Sequence, residues 1–175
     1  MEVTTSLKQI KMTKVQLSEK ELEKYLQDPK NVLQIFMGSF VDKYGYDHSK
    51  VKAEISETKN TATYWKGKEW YNTKKNSALI GLQHKTFSII FGEGTTDSIE
   101  VYMIETKKQG KGVGTRVMEQ VLDLADELGL DVTLIPTAYK NQNDMQYLSF
   151  LRQWYYDLGF DHSTFSPVMK YKSEK

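Results

Sequence analysis

Ser98-Ile99-Glu100-Val101-Tyr102-Met103-Ile104-Glu105 runs through Thr106, Lys107 and Lys108 into Gln109-Gly110-Lys111-Gly112-Val113-Gly114-Thr115, and the reading of this stretch decides the fold. Its first part is rich in β-branched and aromatic residues and reads as a strand. Period two would put Glu100, Tyr102 and Ile104 on one face and Val101, Met103 and Glu105 on the other. After the glycines the apolar period lengthens. Val117, Val121, Leu124, Ala125 and Leu128 recur at helical spacing, and Gly129 is a natural stop. Asp131 to Ile135 then reads as a short strand ended by Pro136.

A strand entering Gly-x-Gly-x-Gly and leaving as a helix has a phosphate-binding shape. Glycine lets the backbone approach a ligand closely. The helix start offers free N–H groups with partial positive charge. Lys107, Lys108, Lys111 and Arg116 add local cations. The bland alternative is a tight strand–helix turn whose glycines serve backbone geometry alone. The loop is no P-loop, because it lacks the G-x-x-x-x-G-K-[ST] order. It also departs from the dinucleotide fingerprint G-x-G-x-x-G, because Thr115 stands where the third glycine belongs.

Outward from the loop, Thr86 to Phe91 is a strand antiparallel to the first, joined by the turn cluster Gly92 to Asp97. Ala78 to Gln83 and Val51 to Ile55 add strands. Ser18 and Glu21 form a capping box for a helix over 18–27, with Leu22, Tyr25 and Leu26 on its apolar face. Asp28-Pro29 starts a second helix, with Val32, Leu33, Ile35, Phe36, Phe40, Val41 and Tyr44 at helical spacing before Gly45. Leu7 to Met12 reads as a first strand. A last helix at 143–158 carries Met145, Leu148, Leu151, Trp154, Tyr155 and Leu158, and Gly159 caps it. A C-terminal β segment follows from Phe160. The sum is one α/β (α+β) domain with a mixed, mostly antiparallel sheet flanked by helices.

Composition narrows the function classes. The chain has 175 residues, enough for one domain with its own core. With 24 Lys+Arg against 23 Asp+Glu, the net charge of +1 speaks against a broad basic surface for nucleic acid. The absence of cysteine removes disulfides, thiolate metal sites and Cys nucleophiles, and it suits a reducing compartment. His48, His84 and His162 lie far apart without metal-ligand spacing, so no metal is expected. His84 falls in a turn and reads as a surface residue. Residues 1–7 lack the basic start and apolar stretch of a signal peptide, and no run is long enough for a membrane helix. Cytoplasmic localisation is the resulting expectation, with no membrane partner. The stretch Tyr64-Trp65-Lys66-Gly67-Lys68-Glu69-Trp70-Tyr71 is aromatic and basic, and reads as a hairpin, a lid or a partner surface.

Gln109-Gly110-Lys111-Gly112-Val113-Gly114 resembles the coenzyme motif Q/R-x-x-G-x-G/A of the GNAT superfamily of acetyl-CoA-dependent N-acetyltransferases, matching at Gln109, Gly112 and Gly114. Trp154-Tyr155-Tyr156-Asp157-Leu158-Gly159-Phe160 is similar to the family's aromatic-Y-x-x-x-G-F signature. The resemblance covers about 86–171. Thr106 stands where the family often has proline, and Leu148 where it often has asparagine, with Asn141 and Asn143 upstream.

The resemblance implies acetyl-CoA as cosubstrate, held by Gln109, Gly110, Lys111, Gly112, Val113, Gly114 and Thr115. Main-chain groups near Ile104 and Glu105 would serve the pantetheine arm. It implies direct attack of a primary amine on the thioester, which needs no Cys. Tyr155 takes the position of the acid for the leaving thiolate, although a Tyr among Leu151, Trp154 and Leu158 reads equally as core. Tyr156 is its neighbour, about 100° around the helix. Glu100 is the candidate base, acting through water, or else a solvent-facing carboxylate. Residues 1–85 would shape the acceptor side and residues 86–171 the coenzyme side. The acceptor is a small-molecule or peptide amine, with no nucleic acid; a protein amine, an aminoacyl-tRNA, a coenzyme-binding module without transfer, and a homodimer stay open.

Overall fold

The computed structural model describes residues 18–56, 61–66, 69–74, 77–137, 145–162 and 166–174, with side chains of 54–77 and His162 outside the description. The strand expected at Leu7 to Met12 and the residues Asn141 and Asn143 therefore lie outside the described residues, as do the side chains of the aromatic–basic stretch.

Helix α1 (Glu19–Tyr25) is shorter than its predicted span. Its cap works differently in detail from a full capping box. Ser18 Oγ accepts the Glu21 amide at 3.2 Å, and the Ser18 hydroxyl donates to the Glu21 carboxylate at 2.9 Å. Helix α2 (Pro29–Tyr44) starts at Asp28, whose carboxylate accepts the Lys30 amide at 2.9 Å, and stops at Gly45 in the left-handed region. Val32, Leu33, Phe36, Met37, Phe40 and Val41 are all buried, so α2 is the central helix of the core.

The main sheet has seven strands in the order β1-β4-β5-β6-β7-β9-β8. They are β1 (Val51–Ser56), β4 (Ser77–Gln83), β5 (Phe87–Glu93), β6 (Ser98–Thr106), β7 (Asp131–Leu134), β8 (Asp161–His162) and β9 (Met169–Tyr171). Neighbours are antiparallel except β6 and β7. A parallel pair needs a crossover, and α3 (Val113–Leu128) supplies it between left-handed Gly112 and Gly129. Strands β2 (Thr61–Lys66) and β3 (Glu69–Lys74) pair with each other as a separate hairpin between β1 and β4. The backbone of the aromatic–basic stretch is thus a hairpin, with Trp65 registered on Trp70 and Tyr64 on Tyr71.

Strand β6 departs from simple alternation. Val101 lies opposite Phe91 and Met103 opposite Ile90, which leaves Tyr102 as an extra residue, a β-bulge. Residues directly opposite in a ladder share a face. Phe91 rests edge-on against Phe36 and Phe40 of α2, with ring centroids at 5.1 and 5.8 Å. Val101 is therefore on the α2 side, and so is Ile104, opposite Ile89. Glu100, Met103 and Glu105 share the other face. The period-two grouping of Glu100 with Ile104 is overturned, because one inserted residue flips everything beyond it.

His84 also differs from its expected surface setting. It is half-buried between Tyr46 and Phe87, both rings 5.1 Å away. Burial, followed by the nearby charges of Lys85, Arg116 and Lys107, holds its imidazole below the ordinary pKa. At the other end of the sheet, the Tyr171 hydroxyl donates to Asp126 at 2.7 Å and the Glu174 amide to the same carboxylate at 3.0 Å. Burial, then the Asp126 contact, pushes the Tyr171 phenol above its ordinary value. Strand β9 is thereby latched to the last turn of α3.

Candidate active site

The β6–β7 ladder runs only from Ser98↔Asp131 to Val101↔Leu134. Strand β7 stops there, before Pro136, while β6 continues on β5 to Thr106. The parallel pair splays, and the bulge at Tyr102 sits where the splay begins. A cleft of about 770 Å³ opens at this point. Its walls are β6 from Val101 to Thr106, the glycine loop, the start of α3, Leu134 at the end of β7 with Ile135 after it, and helix α4 (Met145–Asp157).

The loop glycines have different reasons to be glycine. Gly110 (φ 78°) and Gly112 (φ 73°) are in the left-handed region, which a Cβ disfavours. Gly114 has ordinary helical dihedrals but lies against its neighbours. A Cβ there would stand 3.6 Å from Thr106 Cγ2 and from the Trp154 ring, an ordinary contact. Gly112→Ala should therefore lose about 1–2 kcal/mol to backbone strain. Gly114→Ala should be neutral or stabilising by up to about 1 kcal/mol, since alanine is the better helix residue. Chemical denaturation of the two variants separates these cases; equal losses would refute the distinction.

Gly112 is the N-cap of α3 and offers no side-chain cap. The first helical bond is from the Arg116 amide to the Gly112 carbonyl, at 3.0 Å. The amides of Val113, Gly114 and Thr115 therefore have no acceptor within the helix. They open beside Lys108, Gln109 and Gly110, all on the cleft wall. Lys111 is exposed and is not part of that wall. Lys107 and Arg116 lie close enough to act on His84.

Helix α4 contributes the opposite wall. Tyr155 is 7% exposed, lines the cleft and packs against Trp154 and Phe160, with centroids at 4.8 and 5.7 Å. Tyr156, 54% exposed, lies outside it, as the ~100° step between adjacent helical residues requires. Trp154 also lines the cleft, and its indole N–H donates to Thr115 Oγ1 at 3.0 Å. Ile135, Tyr147 and Phe150 form an exposed apolar lip, the last two with rings stacked 6.2 Å apart.

Glu105 and Ile104 line the cleft, whereas Glu100 does not. Glu100 is half-buried, registered between Gly92 of β5 and Thr133 of β7. Sequence reasoning missed Trp154, Tyr147 and Phe150 as wall residues. The signal for Tyr147 and Phe150 was an apolar pattern on α4 too broad for a single buried face, while Trp154 stood in the signature without its wall role being read. Met145, at the start of α4, is 69% exposed. Among the described residues no group of His, Asp and Glu could hold a metal ion, and no helix is long and apolar enough to cross a membrane.

The family model described as the acetyltransferase (GNAT) family matches residues 30–151, more than half of the chain. The chain belongs to the GNAT family. The matched span runs from α2 through the glycine loop into the first half of α4, and stops before Trp154 and Tyr155. The resemblance drawn from Gln109, Gly112 and Gly114 and the mixed α/β architecture agree with this membership, and the GNAT family supports acyl transfer as the general chemistry. No curated protein matches the chain. A solved structure, the anti-CRISPR protein AcrVA5, is similar at 20% identity over 54% of this chain and 98% of its own, with a TM-score of 0.45.

Proposed function

We propose that this GNAT domain transfers an acetyl group from acetyl-CoA to a primary amine by direct attack, without a covalent enzyme intermediate. The observation that carries the reading is an uncapped, glycine-fronted helix start opening into the same cleft as a buried tyrosine. Amides from Val113 to Thr115, with Gln109 and Gly110, suit a pyrophosphate, because unsatisfied N–H groups and the helix dipole favour anions. Lys111 reaches such a group only from the rim. Beyond Val101 β6 is no longer paired with β7, and its main chain around Ile104 and Glu105 offers donors and acceptors to an amide-bearing arm. The coenzyme supplies an activated thioester.

Within that cleft Tyr155 gives its hydroxyl proton to the departing thiolate as the carbon–sulfur bond breaks and the carbon–nitrogen bond forms. Backbone N–H groups near the bulge stabilise the developing oxyanion. The amine loses its proton to water; Glu100, just before the lining stretch, takes part only through that water. On this reading residues 86–171 hold the coenzyme. Residues 1–85, which include α2 and the β2–β3 hairpin, shape the acceptor side for a small-molecule or peptide amine.

The test is a thermal shift with acetyl-CoA, followed by thiol release across a panel of amines. A ligand at 100 times its Kd adds about 2.7 kcal/mol, a readily measured shift. Binding with amine-dependent release is expected. No shift and no release would sink the reading; a shift without release would leave a coenzyme-binding module.

A further inference from the structure

Trp154 lies across the first turn of α3. Its ring edge is close enough that a Cβ on Gly114 would touch it at 3.6 Å, and its indole nitrogen is 3.0 Å from Thr115 Oγ1. An indole N–H can only donate, so the Thr115 oxygen is the acceptor in this bond. A threonine hydroxyl has one proton and two lone pairs. The bond to Trp154 occupies a lone pair and leaves the proton to be placed elsewhere. In a helix the usual outlet is a carbonyl three or four residues back. Among the described residues the Thr115 hydroxyl bonds to Trp154 alone. Thr115 itself lines the cleft, beside the first-turn amides of α3 and Lys108.

We infer that Trp154 is a positioning residue: it fixes the Thr115 hydroxyl as a donor into the cleft, where it completes the amide cradle for a phosphate-class anion. The same bond ties α4 to the start of α3, so one side chain sets both the donor direction and the distance between the walls. The inference rests on the coenzyme reading of the cleft. Thr115 touches the ligand, and Trp154 acts through it.

Calorimetric titration of full-length protein with coenzyme A, and separately with inorganic pyrophosphate, tests this. Thr115→Val keeps the shape and removes the donor; Trp154→Phe keeps an aromatic ring and removes the N–H. Each should weaken coenzyme A about tenfold, the scale of one hydrogen bond to a charged acceptor. Thr115→Ser should bind as wild type does. The double variant should be no weaker than Thr115→Val alone, because both lesions remove one coupled unit. Pyrophosphate should show the same ranking, which a loss of packing alone would not give. If wild type binds coenzyme A and both single variants match it, or if their losses add in the double variant, the inference falls while the coenzyme reading stands. If wild type binds neither probe, the coenzyme reading falls and takes the inference with it.

Discussion

Tyr155→Phe is expected to lower the rate of acetyl transfer by about 10²- to 10⁴-fold, the range for losing a positioned general acid. Affinity for coenzyme A should stay within a few-fold of wild type. The substitution removes one oxygen and leaves the ring, so the contacts with Trp154 and Phe160 persist. On the proposed mechanism the thiolate would then leave without its proton, which would raise the barrier to carbon–sulfur cleavage and leave ground-state binding alone. Single-turnover thiol release at saturating acetyl-CoA reads the step directly. Tyr156→Phe is the control: Tyr156 is exposed and off the cleft, so its rate should match wild type. A Tyr155→Phe enzyme within threefold of wild type would remove Tyr155 from the mechanism.

Phe91→Ala carries the largest expected loss of stability, about 3–5 kcal/mol. Phe91 is fully buried and stands edge-on to Phe36 and Phe40 of α2. Truncation removes both ring contacts and leaves a cavity between the sheet and its central helix. For a domain of this size each kcal/mol moves the midpoint by about 2–4 °C, so a fall of about 6–20 °C should appear in calorimetry. Position matters as well as burial. Phe91 is registered on Val101, the last β6 residue before the bulge. Loosening it should also weaken coenzyme A binding in the cleft that begins there. Phe150→Ala, at an exposed ring on the cleft lip, should change stability by no more than about 0.5 kcal/mol. A midpoint shift below about 3 °C for Phe91→Ala would mean the α2–β5 contact contributes little.

Much of the scaffold was legible because its signals are local. Ser18, Asp28-Pro29 and Gly45 mark helix ends through hydrogen bonds or dihedrals that involve only their chain neighbours. Gly112 and Gly129 bracket the crossover helix for the same reason. Apolar period then assigned α2 and α3 to the core. The glycine loop was readable because close backbone approach requires particular residues at particular spacing.

The bulge was not readable. Tyr102 and Met103 are ordinary strand residues, and nothing in β6 alone says which of them lacks a partner. That is decided by registration on β5, and it reverses the side on which Ile104 lies. His84 shows the same limit: its burial comes from Tyr46 and Phe87, one of them distant in sequence. The exposure of Met145 and Phe150 likewise depends on where α4 lies against the splayed strands.

The sequence by itself therefore determined the elements, their caps, the glycine loop and the family that the loop resembles. Each of these rests on the stereochemistry of a few consecutive residues. Only the tertiary structure decided which residues meet. It put Tyr155 in the cleft and Tyr156 outside it, kept Glu100 off the wall, and brought Trp154 to Thr115 across 39 positions of chain. Such pairs are set by strand register and helix docking, which depend on the whole core being packed at once.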